Sequence, residues 1–335
     1  MENLNNTRMP FSACMDKANA IQADCQDYLV RNVASNLFMD DDAKLHFDGE
    51  VMPCSSWALS QLGIKTGIPS QYLEKCIDAG FPDLAADNVN RWLTRRDNTD
   101  MFIRSYRGQV RGILSNRYTC FDAPDILENL YDVVDERFWN IKGSFQNEER
   151  MHIRLIGSDS LDVGDDLLFP NLTADPLFPA IFVDSSDVGR CALNISFGIW
   201  RQVCTNGLVV PAVEMEFHHR HIGISAYQMV SSVQEILSNL PLFMTHASEL
   251  IEHAAQNNLK TLTEDELRAV IKNSTKGVIN GNEADRLITF ARETYPMTQW
   301  GLVNAMTEYA QNKTLDTRED IEAAAGRLLS MKIAA

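Results

Sequence analysis

Apolar residues in the first part of the chain recur three and four positions apart, which is the spacing of one face of an α-helix. Ala18, Ile21 and Cys25 follow this spacing. Further helices are predicted at residues 55–63, 69–79 and 83–96. The sequence therefore predicts a mostly helical N-terminal region over residues 1–100.

From residue 101 apolar positions alternate with polar ones, which is the pattern of a β-strand. Residues 101–107 and 110–118 are predicted to form a hairpin with its turn at residues 108–109. A helix opened by Pro124 follows, and further strands are expected after it. Residues 101–222 are thus predicted to form an antiparallel β core with one helix.

Helical spacing returns after this β core and continues to the end of the chain, so residues 223–335 are predicted to form a C-terminal helical region. Strands gathered into one block between two helical blocks are typical of an α+β protein rather than of alternating βαβ units. We therefore expect an α+β fold whose mainly antiparallel sheet, at about residues 100–222, is flanked by N-terminal helices and the C-terminal helical region.

Composition indicates a globular protein, because hydrophobic residues make up 45% of the chain and can form a full core. The seven cysteines are an odd number with no Cys-x-x-Cys pair, which predicts reduced thiols in a cytoplasm. No apolar run is long enough to span a bilayer, so no membrane association is expected.

Charge is distributed unevenly along the chain, whose formal net charge is −16. Residues 91–118 carry seven arginines, no lysine and two acids, whereas residues 119–187 carry four basic and fifteen acidic residues. A local excess of arginine in an acidic chain is typical of a surface that contacts an anionic partner.

The arginines of this stretch alternate with aromatic residues, as they do in surfaces that hold a single nucleic-acid strand. Arginine contacts phosphate with two parallel hydrogen bonds and stacks on flat rings. The predicted nucleic-acid-binding residues, in the hairpin and on neighbouring strands, are Arg104, Tyr106, Arg107, Arg111, Arg117, Tyr118, Arg154, Arg190 and Arg201. The arginines would neutralise phosphates, and the two tyrosines would stack bases.

This prediction requires the guanidinium groups to be open to solvent. By strand alternation Arg104 and Arg111 fall on opposite faces of the hairpin, so a single binding face is not complete. The alternative interpretation is that the arginines pair internally with the acidic segments of the chain.

Histidines cluster at residues 218–221, where His219 and His221 share one face of a strand. Two such imidazoles can bind a transition metal when a carboxylate joins them, although solvent-exposed or core-edge histidines are the alternative. With Cys204 they also allow a small-molecule or metal enzyme. No phosphate-binding loop, dinucleotide fingerprint or nucleophile elbow is present, and no cofactor is predicted.

Several short motifs occur in a fixed order, beginning with Arg111-Gly-Ile-Leu-Ser-Asn-Arg-Tyr118 and a Ser-x-x-Gly loop at residues 186–189. Arg201-Gln-Val-Cys-Thr-Asn-Gly207, His221-x-Gly223 and Trp300-Gly-Leu-Val-Asn-Ala-Met-Thr-Glu-Tyr309 follow. In these motifs the chain resembles the phage/plasmid-like family defined by domain of unknown function 932, over roughly residues 45–312. The resemblance implies a phage, prophage or plasmid setting and supplies no catalytic residues.

The order of hairpin, helix and further strands is also similar to that of phage single-strand annealing proteins of the Rad52/RecT kind, which assemble into rings or filaments on single-stranded DNA. The leading hypothesis is a cytoplasmic, non-catalytic protein of a phage or plasmid that binds single-stranded nucleic acid as a homo-oligomer. The alternative is an acidic interaction or counter-defence factor that acts on a host or phage protein through residues 119–187.

Overall fold

The computed structural model describes residues 9–160, 177–201, 206–209, 216–219 and 225–333, and within these ranges the chain has the predicted α+β fold. The helices are α1 (Phe11–Ala23), α2 (Val33–Asn36), α3 (Ser56–Thr66), α4 (Ser70–Asp78), α5 (Pro82–Leu93), α6 (Ala123–Val133), α7 (Ala226–Gln256), α8 (Glu264–Thr275), α9 (Gly281–Thr294), α10 (Gln299–Ala310) and α11 (Leu315–Leu329). The strands are β1 (Cys25–Val30), β2 (Phe38–Met39), β3 (Lys44–Phe47), β4 (Glu50–Pro53), β5 (Met101–Tyr106), β6 (Gln109–Ser115), β7 (Trp139–Gln146), β8 (Met151–Gly157), β9 (Leu177–Ser185), β10 (Leu193–Arg201), β11 (Asn206–Val209) and β12 (Glu216–His219).

The first sheet, called here the N-terminal sheet, has the order β1-β5-β6 and is antiparallel. Val30 of β1 pairs with Met101 of β5, which pairs with Ser115 of β6, so one end of each strand lies in a row. Residues 25–30 therefore form a strand, and the prediction of a helix through Cys25 is wrong. The sheet also crosses the boundary that the sequence places after residue 100.

The predicted β5–β6 hairpin is confirmed, with its turn at Arg107 and Gly108, which both have positive φ. Ser105 pairs with Val110 but Arg104 pairs with Gly112, so Arg111 is the extra residue of a β-bulge. The bulge resets the alternation of β6. As a result Arg111 and Arg104 reach the same residue, Asp187, and the prediction that they lie on opposite faces is wrong.

A second sheet, called the small sheet, has the order β2-β3-β4. Its β3–β4 hairpin turns at Asp48 and Gly49, which both have positive φ. Helices α3, α4 and α5 pack with the N-terminal sheet and the small sheet around one apolar core that includes Leu45, Leu62 and Ile103. This core is separate from the core on the inner face of the central sheet and from the core of the C-terminal helices.

The central sheet has the order β11-β10-β9-β8-β7, and β12 pairs with β10 further along the same edge. Its inner face packs against α1, α6 and the first half of α7, with Ile153 and Leu155 of β8 in the core. The alternate residues of β8, His152 and Arg154, therefore point to the other face, where they meet α11. β8 thus joins two layers, because one of its faces carries charged side chains and the other packs in the apolar core.

The C-terminal helices surround a third core that includes Trp300, Met306 and Leu328. In the motif at residues 300–309, Asn304 Nδ2 donates to the Trp300 carbonyl at 2.7 Å. Buried Gln299 donates to the Leu328 carbonyl at 2.6 Å and so fixes the end of α11. No helix of the described ranges combines the length and the apolar character needed to cross a membrane.

Candidate functional site

The arginine-bearing face of the N-terminal sheet is covered by the central region of the chain. We call the ionic cluster between them, formed by the exposed Asp27 and the buried Arg104, Arg111, Asp122 and Asp187, the N-terminal junction. Arg104 is 0% exposed, and its guanidinium donates to Asp27 Oδ1 at 2.8 Å, to Asp122 Oδ1 at 2.6 Å and to the Asp187 carbonyl at 2.7 Å. These carboxylates hold the pKa of Arg104 above its ordinary value even though burial lowers it.

Arg111 lies in the same junction but is less well matched. Its Nη1 donates to the Glu148 carbonyl and lies 3.5 Å from Asp187 Oδ2, whereas its Nε and Nη2 have no hydrogen-bond partner among the residues that the structure describes. Burial, together with the charge of Asp122, raises the pKa of Asp187 to about 7.

The loop at residues 186–190 connects the junction to α3. The Val188 carbonyl accepts hydrogen bonds from Trp57 Nε1 at 3.1 Å and from Gln61 Nε2 at 2.8 Å. A Cβ on Gly112 would lie 2.9 Å from the Val188 side chain, so glycine is required for the close approach of β6 to this loop. Two of the motifs that carry the family resemblance, at residues 111–118 and 186–189, therefore meet here in a structural role.

A second ionic cluster, called here the C-terminal junction, joins the central sheet to α11. It is formed by alternating cations on and before β8 and by acids three residues apart on α11, together with one acid of β9 and one further arginine of α11: Arg150, His152, Arg154, Asp184, Asp316, Arg318, Glu319 and Glu322. Arg154 is 0% exposed and pairs with Glu322 at 2.6 Å. The two spacings, every second residue on the strand and every third on the helix, place each set of charges on one face of its element.

His152, Asp184 and Glu319 bring one ligand atom each within 4.8 Å of the others, a spacing that can hold a metal ion. Arg150 and Arg154, however, contact the same three residues. With Arg190, which pairs with both Asp316 and Glu149, four arginines face five carboxylates, and one further positive charge, an imidazolium at His152, makes the numbers equal. A divalent cation would leave an excess of buried positive charge, so these residues fit an ion-pair cluster better than a metal site.

Two interactions of the His152 ring favour opposite protonation states. Its Nδ1 lies 2.6 Å from Asp184 Oδ1 and 2.7 Å from Glu319 Oε1, and although burial lowers the pKa of His152, these carboxylates raise it to about 9. Its Nε2 accepts a hydrogen bond from Arg154 Nε at 3.0 Å, which only a ring without a proton on Nε2 can do. We take the two carboxylates as the stronger influence, because a buried ionic attraction exceeds one hydrogen bond in strength.

The stability of the protein should consequently fall with rising pH. A pKa that is raised in the folded state from 6.5 to about 9 contributes its full stabilisation below pH 6.5 and loses it as the pH rises through 9. Urea unfolding across this window should show the decline in the wild type and a flatter profile in His152→Gln. The His218→Gln variant, which changes an exposed histidine of β12, should keep the wild-type profile. A wild-type stability that rises across this window would contradict the assignment.

The expectation that the guanidinium groups of Arg104, Arg111 and Arg154 are open to solvent is wrong, because all three are buried. Their partners Asp122, Asp187 and Glu322 lie 18, 76 and 168 residues away along the chain, so the pattern around each arginine does not reveal them. These three predicted contacts to phosphate are replaced by contacts to carboxylates within the protein.

Two other predicted residues are also engaged internally. The Tyr118 hydroxyl donates to the Asp187 carbonyl at 2.9 Å, and its ring stacks on Phe102 with centroids 6.3 Å apart. Arg190 pairs with Glu149 at 2.8 Å and lies over the Trp57 ring. Neither side chain is fully exposed, so stacking of a base on Tyr118 would need the ring to leave the protein.

The remaining predicted residues lie at the surface or outside the described side chains. Arg107 is 68% exposed, pairs with Asp24 at 2.7 Å and lies over the half-buried Tyr106 ring. Arg117 is exposed. Arg201 is the last residue of β10, and its side chain lies outside the described atoms.

The residues of the predicted metal and enzyme sites fall mostly outside the described ranges. His218 lies on β12, is exposed, and pairs with Asn194 through the backbone. His219 follows it on the strand, but its side chain is not described. His221 and Cys204 both lie outside the described residues. The structure therefore gives no geometry for a site that combines them.

Exposed arginines remain at one end of the N-terminal sheet, just beyond the row of Val30, Met101 and Ser115. We call this surface the basic end, and it consists of the exposed Arg31, Arg95 and Arg117 and the half-buried Arg96, with Trp92 beside Arg95. Among the described residues, no carboxylate pairs with any of these four arginines. Trp92 is 47% exposed and Arg95 lies 5.0 Å from the centre of its ring. Arg31 is not predicted from the sequence as part of this surface, because β1 is not recognisable as a partner of β5.

The acidic segment at residues 119–187 is divided between interior and surface. Asp122, Asp184 and Asp187 are used in the two junctions. Asp125, Glu128 and Asp132 of α6 are exposed, and residues 161–176 lie outside the described ranges. The internal pairing proposed as an alternative for the arginines thus accounts for part of this segment.

Comparison with known proteins relates the chain to a sequence family. Residues 110–330 match the family described as a domain of unknown function (DUF932). No curated protein and no solved structure matches the chain. The matched segment begins within β6 and contains the central sheet and all of the C-terminal helices.

Proposed function

The chain belongs to the family defined by domain of unknown function 932, and because that description names no activity, we propose a function from the chain's own surface. The protein binds single-stranded nucleic acid, without catalysis, at the basic end. The strand's phosphates contact Arg31, Arg95, Arg96 and Arg117, and one base stacks near Trp92. This retains the predicted partner but moves the binding surface from the buried arginines to the exposed ones.

The observation that carries the proposal is a group of four arginines without carboxylate partners in a chain of net charge −16. Most arginines elsewhere in the described chain face an acid, as Arg104, Arg150 and Arg154 do. Four arginines at one end of a sheet produce a locally positive surface, because the nearby acids Asp27 and Asp122 pair with Arg104 and leave Asp97 and Asp100. An exposed tryptophan beside them supplies the flat face on which bases stack without sequence preference.

The finer features of the proposal rest on resemblance. A phage or plasmid setting and an annealing or recombination role come from the similarity in motifs and in the order of elements. Assembly of several copies would align their basic ends into one groove, which a long strand needs because each copy offers four arginines. The acidic-factor alternative is favoured less, because Asp122, Asp184 and Asp187 are already engaged inside the protein.

Binding of a labelled single-stranded thymine tract should weaken as salt is raised, with a slope of about −0.7 in log K against log salt for each phosphate contacted. Substituting Arg95→Ala and Arg117→Ala together removes two contacts and should reduce that slope by about 1.4. The measurement is fluorescence anisotropy of the labelled strand across a salt series, with circular dichroism to confirm that the variant is folded.

The matched control is Arg137→Ala with Arg286→Ala, which removes the same charge from exposed positions away from the basic end. It should bind with nearly wild-type affinity and slope. Equal binding by the wild type and both double variants would move the site elsewhere. No binding at low salt would exclude the proposed function and favour a protein partner for the acidic surface.

A further inference from the structure

A cleft of about 240 Å³ opens between α2 and the β3–β4 hairpin, on a surface that neither junction uses. It is lined by residues of α2, the small sheet and the turn at Asp48 and Gly49: Ser35, Asn36, Phe38, His46, Phe47, Asp48, Gly49, Glu50 and Val51. Its size suits a single planar ring with a few polar substituents rather than a folded segment.

The floor of the cleft is an aromatic platform. Phe38 pairs across β2–β3 with His46, which pairs across β3–β4 with Val51, so the three side chains form a row on one face. The Phe38 and His46 rings are stacked with centroids 4.4 Å apart and planes 19° apart. Phe38 remains 50% exposed. A flat aromatic surface of this kind, open to solvent, is a stacking face for another ring.

A hydrogen bond between Asp40 and His46 holds the imidazole of the platform in place. Asp40 Oδ2 lies 2.7 Å from His46 Nε2, while Asp40 Oδ1 accepts from the backbone N–H groups of Asp42 and Lys44. Burial of Asp40 acts to raise its pKa, but these hydrogen bonds outweigh that effect and the pKa is lowered, so the carboxylate stays ionised. The imidazole orientation is therefore fixed before any ligand arrives.

The polar part of the lining is dominated by acceptors. Asp48 and Glu50 are the acidic residues of the lining, and neither has a cationic partner within the described residues. Carboxylates accept hydrogen bonds and cannot donate them when ionised. A ring stacked here would be favoured if its edge carried N–H donors.

The cleft lies near the basic end. Arg31 lies at the end of β1, and its carbonyl accepts a hydrogen bond at 2.8 Å from Asn36 Nδ2, whose side chain lines the cleft. One short helix, α2, separates the two surfaces. A strand whose phosphates contact Arg31 can therefore place a neighbouring base over Phe38.

From this geometry we infer that the cleft binds one nucleobase of the bound strand, stacked on Phe38, and prefers guanine to thymine. Guanine presents an imino N–H and an amino group side by side, which one carboxylate can accept together, whereas thymine presents a single N–H between two carbonyl oxygens. The inference rests on the proposed function, since the strand must first be held at the basic end.

The test compares a labelled thymine tract with the same tract carrying one central guanine. The guanine strand should bind about tenfold more tightly to the wild-type protein, in the range expected for one good two-point base contact. Phe38→Ala should weaken binding of both strands and reduce this preference, because a base of either kind stacks on the ring. Separately, Asp48→Asn with Glu50→Gln should abolish the preference. Asparagine is suited to the positive φ of 47° at position 48, so the second variant should fold.

The control is Phe81→Ala, which removes another exposed aromatic ring, 56% exposed, outside the cleft. It should keep the guanine preference. If the thymine tract binds but guanine confers no advantage, the inference is overturned and the proposed function survives. If neither strand binds, the proposed function fails and the inference with it. Binding of an arginine-rich peptide that depends on Phe38, without any base preference, would overturn the inference in favour of a protein partner.

Discussion

Replacing Arg104 by methionine is expected to lower the free energy of unfolding by about 3–5 kcal/mol, the usual cost of removing one partner from a buried ion pair. Methionine retains much of the apolar stem but removes the charge from a side chain that is 0% exposed. Among the described residues Arg104 is the cation that pairs with Asp27 and Asp122, so both carboxylates would lose their countercharge. Urea unfolding followed by circular dichroism measures the loss.

Arg107→Met is the matched control, because Arg107 lies in the turn of the same hairpin and is 68% exposed. Its ion pair with Asp24 faces solvent and should contribute little, so the unfolding midpoint should barely move. An unfolding curve of Arg104→Met that matches the wild type would show that the N-terminal junction does not stabilise the fold. Weaker oligonucleotide binding in Arg104 or Arg111 variants would need to be corrected for any loss of folded protein.

Replacing Glu322 by leucine is expected to have a similarly large effect, about 3–5 kcal/mol, because it leaves two arginines without their acid in the interior. Glu322 accepts from Arg154 Nη2 at 2.6 Å and from Arg318 Nε at 2.9 Å, and it is itself 2% exposed. Chemical denaturation should therefore show a strong loss of stability in this variant.

A double substitution of Arg154→Met and Glu322→Leu separates the ion pair from the packing around it. Replacing both members of a buried pair by apolar residues is often neutral, so the double variant should recover much of the loss of the single one. The double-mutant cycle yields the coupling energy of the two charges. Strictly additive losses would show that Arg154 and Glu322 do not act as a pair.

The block arrangement of helices and strands was predictable from the sequence because apolar period is a local property. The α+β class and the β5–β6 hairpin follow from it and are confirmed. β1 was missed since it is an edge strand whose burial does not alternate: Val30 is buried, whereas Asp27 and Leu29 are exposed. Such a strand has no clear alternation, and the helical spacing of Cys25 with Ile21 then dominates the pattern.

The candidate site was harder to predict, because the roles of arginines depend on residues far away in sequence. Nothing around Arg104 distinguishes it from Arg107, yet one is buried and the other exposed. The bulge at Arg111 was also invisible, since it depends on how β6 is paired and not on the composition of β6. Two arginines of the segment at residues 91–118, Arg104 and Arg111, are buried against carboxylates of the protein, so they are not available to an external partner.

The ion pairs of the N-terminal junction determine which fragments of the chain keep their charges balanced. Family similarity begins at Val110, inside β6, whereas β5 and the Asp27 carboxylate lie upstream. A fragment that starts at Val110 keeps Asp122 but loses Arg104, and it leaves the edge of β6 open to pairing with strands of other molecules. The family match therefore begins inside a folded unit. A fragment that folds by itself with its charges balanced has to include the chain from before Asp27.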